Sequence, residues 1–231
     1  MSEAMLSKVR KLLAQAEDPA CTPAESAAFM AKATELIARY GVDRALLAAR
    51  EPATDPVGDR VVEVVAPYAR DKAGLLAAVA EPLRCRCVRS GFDLHLFGFA
   101  SDLERVELLF TSLLVQAAHG LAGAAVPAGE HPAAFRRTWL AGFAHVVAER
   151  LRTAEAGAVA EAGAPSVALV LADRSDRVQR RLAEVYPRLR TAPRRRLAGS
   201  GFGPGAAAGR RADLGGTGVT GAGTRVRGIG G

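Results

Sequence analysis

The spacing of apolar residues along the chain changes its period several times. Leu6, Val9, Leu13 and Ala16 recur at helical intervals, which predicts a helix over residues 3–16. "EDPAC" interrupts it. "TPAE" then restarts a helix, with Thr22 as N-cap, Pro23 in the first turn and Glu25 completing a capping box. Phe29, Ala33, Leu36, Ile37 and Tyr40 form its apolar stripe, and Gly41 reads as its stop. Asp43 then caps a short third helix carrying Leu46 and Leu47. "EPATDPVGD" has the Pro, Gly and Asp content of a linker.

Beyond the linker, strand-like periods appear. "RVVEVVA" reads as a strand, followed by a helix with Asp71 near its start and Leu75, Leu76, Val79 and Leu83 on one face. "CRCVR" and "DLHLFGF" alternate with period two across "SG", the pattern of a β-hairpin. Ser101 and Glu104 are spaced as a second capping box at the head of a long helix. This β-α-β-β-α order predicts an open sheet with helices on one face. A helix led by Pro132 carries Phe135, Trp139, Phe143, Val146, Val147 and Leu151. "EAGAVAEAGAP" reads as frayed low complexity, "SVALVLA" as a buried strand, and "SDRVQRRLAEVYPRLR" as a helix. In "GFGPGAAAGRRADL" the glycines at 201, 205 and 209 recur every four residues, which predicts a short helix over Pro204–Leu214, docked by its glycine face. The fold class expected is α+β. A three-helix unit (1–50) and a linker (51–59) precede a small mixed sheet packed by helices (60–190). A basic Gly-rich segment with its docked helix (191–215) and a tail (216–231) follow.

Two stretches resemble a known family. "KVRKLLAQA" and "AKATELIARYGVD" are similar to the helical unit of DUF2786, a bacterial and phage family of unknown function. The matching positions are Lys8, Val9, Leu12, Leu13 and Ala16, then Lys32, Ala33, Glu35, Leu36, Ile37, Arg39, Tyr40 and Gly41. Phe29 departs from the pattern, where a small residue is usual. The later segments also look like those that follow this unit in related proteins. The resemblance implies a recurring architecture and no activity, cofactor or catalytic residue.

Charge adds a partner class. The net charge is +7, and it is uneven: from Arg174 onward thirteen arginines face three acids, so the first 173 residues are slightly acidic. Arg194, Arg195, Arg196, Arg210 and Arg211 are the candidate anion-binding residues, because a guanidinium donates two parallel hydrogen bonds to a phosphate. A solvated charged surface accounts for the same residues. The function expected is non-enzymatic association with DNA or RNA through these arginines. The alternative is a protein-interaction module working through the N-terminal helices, and an unrecognised metal-dependent hydrolase stands further off.

Catalytic patterns do not appear: there is no H-E-x-x-H, C-x-x-C, Walker A or G-x-S-x-G. His145 and Glu149 share a helix face without a third ligand in view, so no metal or cofactor is expected. Cys85 and Cys87 read as small core residues, and His95 as packed or solvated. No signal segment or membrane-length apolar run is seen, so the expected location is the cytoplasm.

Overall fold

The structure, a computed structural model, describes residues 22–90, 93–163, 165–190, 195–212 and 214, with isolated positions at 8, 11, 12, 15, 226 and 227. The described elements are α1 (Pro23–Arg50), β1 (Val57–Glu63), α2 (Ala69–Ala80), β2 (Arg86–Ser90), β3 (Asp93–Phe99), α3 (Ala100–Ala122), α4 (Pro132–Ala162), α5 (Pro165–Val185), α6 (Phe202–Arg211) and β4 (Val226–Arg227). The architecture is mixed α+β and mostly helical. Of the helix expected over 3–16, only Lys8, Lys11, Leu12 and Gln15 are described, all helical. Most of the tail expected over 216–231 lies outside the described residues.

The sheet is antiparallel, in the order β2-β3-β1, with the two-residue β4 beyond β1. Val62 pairs with Leu94 and Asp59 with Phe97, so successive residues of β3 face opposite sides. Leu94 and Leu96 join Val62, Val64 and Cys85 in the main core with α2, α3 and α4. Phe97 and Phe99 turn the other way, onto Val178 and Leu182 of α5. Both faces of the sheet are therefore covered, which corrects the expectation of helices on one face. In so alanine-rich a chain a few large side chains supply much of the buried area. Trp139, Phe97, Phe99, Phe135 and Phe143 are all fully buried, each worth about 1.5–3 kcal/mol of transfer free energy.

Four local readings change. First, α1 does not stop at Gly41 but continues to Arg50, so the expected turn and third helix do not exist. A Cβ at Gly41 would strike the guanidinium of Arg105, so this glycine serves close packing inside a helix. Second, "SVALVLA" is the first half of α5, with Leu169 73% exposed. A short apolar run does not distinguish strand from helix, and here the polar half that follows carries the helical period through it. Third, the low-complexity stretch after Leu151 continues α4 to Ala162, held by buried Glu155 and Ala158. Fourth, α3 begins at Ala100 with no side-chain cap. Ser101 lies inside the first turn, and its amide and hydroxyl both donate to Asp55. The capping box at Thr22 and Glu25, in contrast, forms in both directions.

Helix α6 lies on α4. A Cβ at Gly205 would overlap the backbone carbonyl of Trp139, and one at Gly142 would overlap that of Phe202. The two helices meet backbone to backbone at these glycines. Arg150 locks the contact by donating to the carbonyls of Gly209 and Ala212, at 2.8 and 2.6 Å.

Candidate nucleic-acid interface

The connection from β1 to α2 places Tyr68 and Arg70 at the head of α2, with Asp71 in its first turn. Beside them stand Arg137 near the start of α4, Arg89 on the outer strand β2, and Arg195 from the segment ahead of α6. These residues, with Val64 and Leu94, line a cavity of about 470 Å³. A neighbouring cavity of about 860 Å³ shares Ala73, Arg89 and Leu94 with it. Its further walls are Cys87 and Val88 of β2 and the run Val185–Arg190 that leaves α5. The two cavities adjoin beside β2, the outer strand of the sheet among the described residues, and this groove of two adjoining cavities is lined by Arg70, Arg89, Arg137, Arg188, Arg190 and Arg195. One carboxylate, Asp71, faces those six cations among the lining residues.

Asp71 organises part of the groove. Its carboxylate accepts from Arg195 at 2.8 Å and lies 4.0 Å from Arg137. Its position in the first turn of α2 also suits the positive end of the helix dipole. Cys87 is a groove residue, and burial pushes its thiol up to about 12, so it is a neutral wall group. Burial raises the Cys85 thiol as well.

Sequence reasoning selected five arginines, and the structure disperses them. Arg195 lines the groove. Arg196 is exposed and outside its lining. Arg210 and Arg211 are exposed in the last turn of α6, away from the groove lining, where they oppose the negative helix end. Arg194 lies outside the described residues. Arg70, Arg89, Arg137, Arg188 and Arg190 were not selected. They are scattered over 120 positions and form no run, so no local pattern marks them.

A second cluster of charge lies in the interior. Arg174 donates from Nη2 to Asp55 and Asp102, both at 2.9 Å. Arg105 is fully buried and bonds Asp102 at 2.9 Å and Glu155 at shorter range. Arg84 closes on Glu155 at 2.9 Å. Three arginines thus meet three carboxylates. Burial pushes the Asp102 carboxyl up, but the surrounding Arg84, Arg105 and Arg174 charges outweigh it and hold Asp102 below the ordinary carboxylate value. The Arg174 guanidinium also stacks 3.6 Å above the Phe99 ring. This neutral network joins the segment before β1 to α3, α4 and α5. Arg174, Asp55, Asp102, Arg105 and Glu155 are between 0% and 7% exposed, which marks the network as structural.

On the α5 face of the sheet, His95 sits between two partners. Its Nε2 is 2.8 Å from Asp59 and its Nδ1 is 3.0 Å from the hydroxyl of Tyr186. Arg181 holds the other oxygen of Asp59 at 3.2 Å. Burial pushes the Asp59 carboxyl up, yet the hydrogen bonds from His95 and Arg181 prevail and keep it below its ordinary value. His145 and Glu149, 3.4 Å apart, are both more than half exposed. Among the described residues no three His, Cys, Asp or Glu side chains converge as metal ligands.

Residues 4–44 match the family model described as a protein of unknown function (DUF2786), so the chain is similar to that family over this N-terminal stretch. The match ends at Arg44, within α1. No curated protein and no solved structure matches the chain significantly. Among the described residues no helix is long and apolar enough to cross a membrane.

Proposed function

We propose that the protein associates with nucleic acid, holding its phosphate backbone in the arginine-lined groove along β2. The observation that carries this reading is the convergence of six arginines on two adjoining cavities with one carboxylate among their lining residues. Arginine-rich clefts concentrate polyanions and pair with phosphate oxygens in a fork geometry. The half-buried Tyr68 and Tyr186 in the same walls add ring surfaces on which an unpaired base stacks. The rival module built on the N-terminal helices has less behind it. The stripe Ala33, Leu36, Ile37, Ala38, Val42 and Ala45 of α1 is buried inside the chain itself.

The test is titration of a fluorescent single-stranded 20-mer at several salt concentrations. A groove variant carrying Arg89→Gln, Arg188→Gln and Arg190→Gln should bind more weakly. Its log K against log salt slope should be shallower by about 2, since each lost phosphate contact removes about 0.7 on a single strand. Equal affinity and equal slope would refute the reading.

A further inference from the structure

The groove contains a group that simple backbone binding does not use. Tyr186 lines the larger cavity together with Arg89, Arg188 and Arg190. Its hydroxyl is 3.0 Å from His95 Nδ1, and His95 Nε2 is 2.8 Å from Asp59. An ionised Asp59 accepts from Nε2–H, so that tautomer leaves the Nδ1 lone pair directed at the phenol. The order is then hydroxyl, imidazole, carboxylate, each within hydrogen-bond reach of the next. That is the arrangement of an activated nucleophile, its base and the group that orients the base.

The frame around these residues is fixed. The imidazole lies 4.3 Å from the Phe97 ring, the Tyr186 ring meets Phe97 edge-on at 5.9 Å, and Arg181 pins Asp59 from the far side. Packing of Tyr186 on Phe97 needs only the ring. Tyr186 is the one member of this hydrogen-bonded chain among the lining residues of the arginine-lined cavity, so it joins the His95–Asp59 pair to the cavity wall.

We propose that Tyr186 is a nucleophile for phosphodiester transfer, with His95 as its general base and Asp59 as the positioning residue. This rests on the groove as a phosphodiester site. The phenol proton passes to His95 Nδ1 as Tyr186 Oη bonds to phosphorus. The bond from phosphorus to the leaving oxygen breaks, and that oxygen keeps the electron pair and takes a proton from water in the open groove. The imidazolium returns its proton to solvent. The products are a tyrosyl phosphodiester and a free alcohol, so one ester replaces another without oxidant or co-reactant. Arg89, Arg188 and Arg190 stand on the same cavity to offset charge on the phosphoryl oxygens.

Two probes test this on the full chain. One is a 5′-labelled single-stranded 20-mer, read as a covalent band on a denaturing gel. The other is bis(p-nitrophenyl) phosphate, read as a burst of one p-nitrophenolate per chain. The expected result is both signals, with the adduct mapped by mass spectrometry to Tyr186. Tyr186→Phe, which keeps the ring and removes only the hydroxyl, should abolish both. His95→Gln should slow the burst by about 10²–10⁴-fold. A burst on the small diester without 20-mer binding would sink the groove reading and leave the nucleophile standing. Wild-type protein that forms no adduct and gives no burst overturns the proposal, whether or not it binds the 20-mer. An adduct mapping to another residue overturns it as well.

Discussion

Two helical glycines are expected to respond in opposite directions to the same change. At Gly205 a Cβ would overlap the carbonyl oxygen, the carbonyl carbon and the Cα of Trp139. All three are backbone atoms in the middle of a 31-residue helix, so no side chain can swing away. At Gly157, inside α4, a Cβ meets nothing within 4 Å. Alanine in a helix is favoured over glycine by up to about 1 kcal/mol. Overpacking against an unyielding surface costs about 1–3 kcal/mol. Gly157→Ala should therefore stabilise by as much as about 1 kcal/mol. Gly205→Ala sits at the high end of the cost and should lose about 2 kcal/mol net. In urea unfolding, with a slope of about 2–3 kcal/mol/M, that loss lowers the midpoint by about 0.7–1 M. Amide exchange over 202–211 should accelerate in the Gly205 variant, because lifting α6 also breaks the Arg150 bonds to Gly209 and Ala212. A Gly205→Ala protein as stable as Gly157→Ala would refute backbone contact as the reason for the glycine at 205.

Asp102→Ala should cost about 3–5 kcal/mol in the same assay, because it strands Arg105 and Arg174 in the interior. Asp59 and Asp102 both have lowered values, so each stabilises the fold above the ordinary carboxylate value, about 4, and loses that contribution as pH falls through its own lower value. Urea midpoints should accordingly fall on acidification below about pH 4, and stay flat from pH 5 to 7 as far as these two groups are concerned. Cys85 and Cys87, whose thiols are both raised, should resist iodoacetamide at pH 8 in the native protein and react in urea, as read by peptide mass mapping.

Local signals were legible where local physics decides the outcome. The capping box at Thr22 fixes where α1 starts, and alternation in "DLHLFGF" fixes which side chains of β3 share a face. Gly41 misled because glycine has two uses. In a turn it supplies positive φ; here it is helical and makes room for Arg105, which lies 64 positions away in sequence. The start of α5 misled because periodicity over a run of six apolar residues does not separate a strand from a helix. The groove was legible only at Arg195, which sits in a visible run. Its other cations come singly from α2, β2, α4 and the exit of α5, and only the fold brings them together. The buried network was hidden for the same reason: Asp55 reads as a linker residue until Ser101 and Arg174 close on it.

The central claim is that the groove along β2, rather than arginine content as such, holds the nucleic acid. Its most direct measurement compares two variants on the same 20-mer across the same salt series. One removes Arg89, Arg188 and Arg190 from the groove, and the other replaces Arg210 and Arg211 on α6 with Gln. The account predicts that the groove variant loses affinity and flattens the salt slope by about 2, one phosphate contact for each arginine removed. The α6 variant should stay close to wild type in both. Equal losses scaled only to the number of charges removed, or a larger loss in the α6 variant, would contradict it.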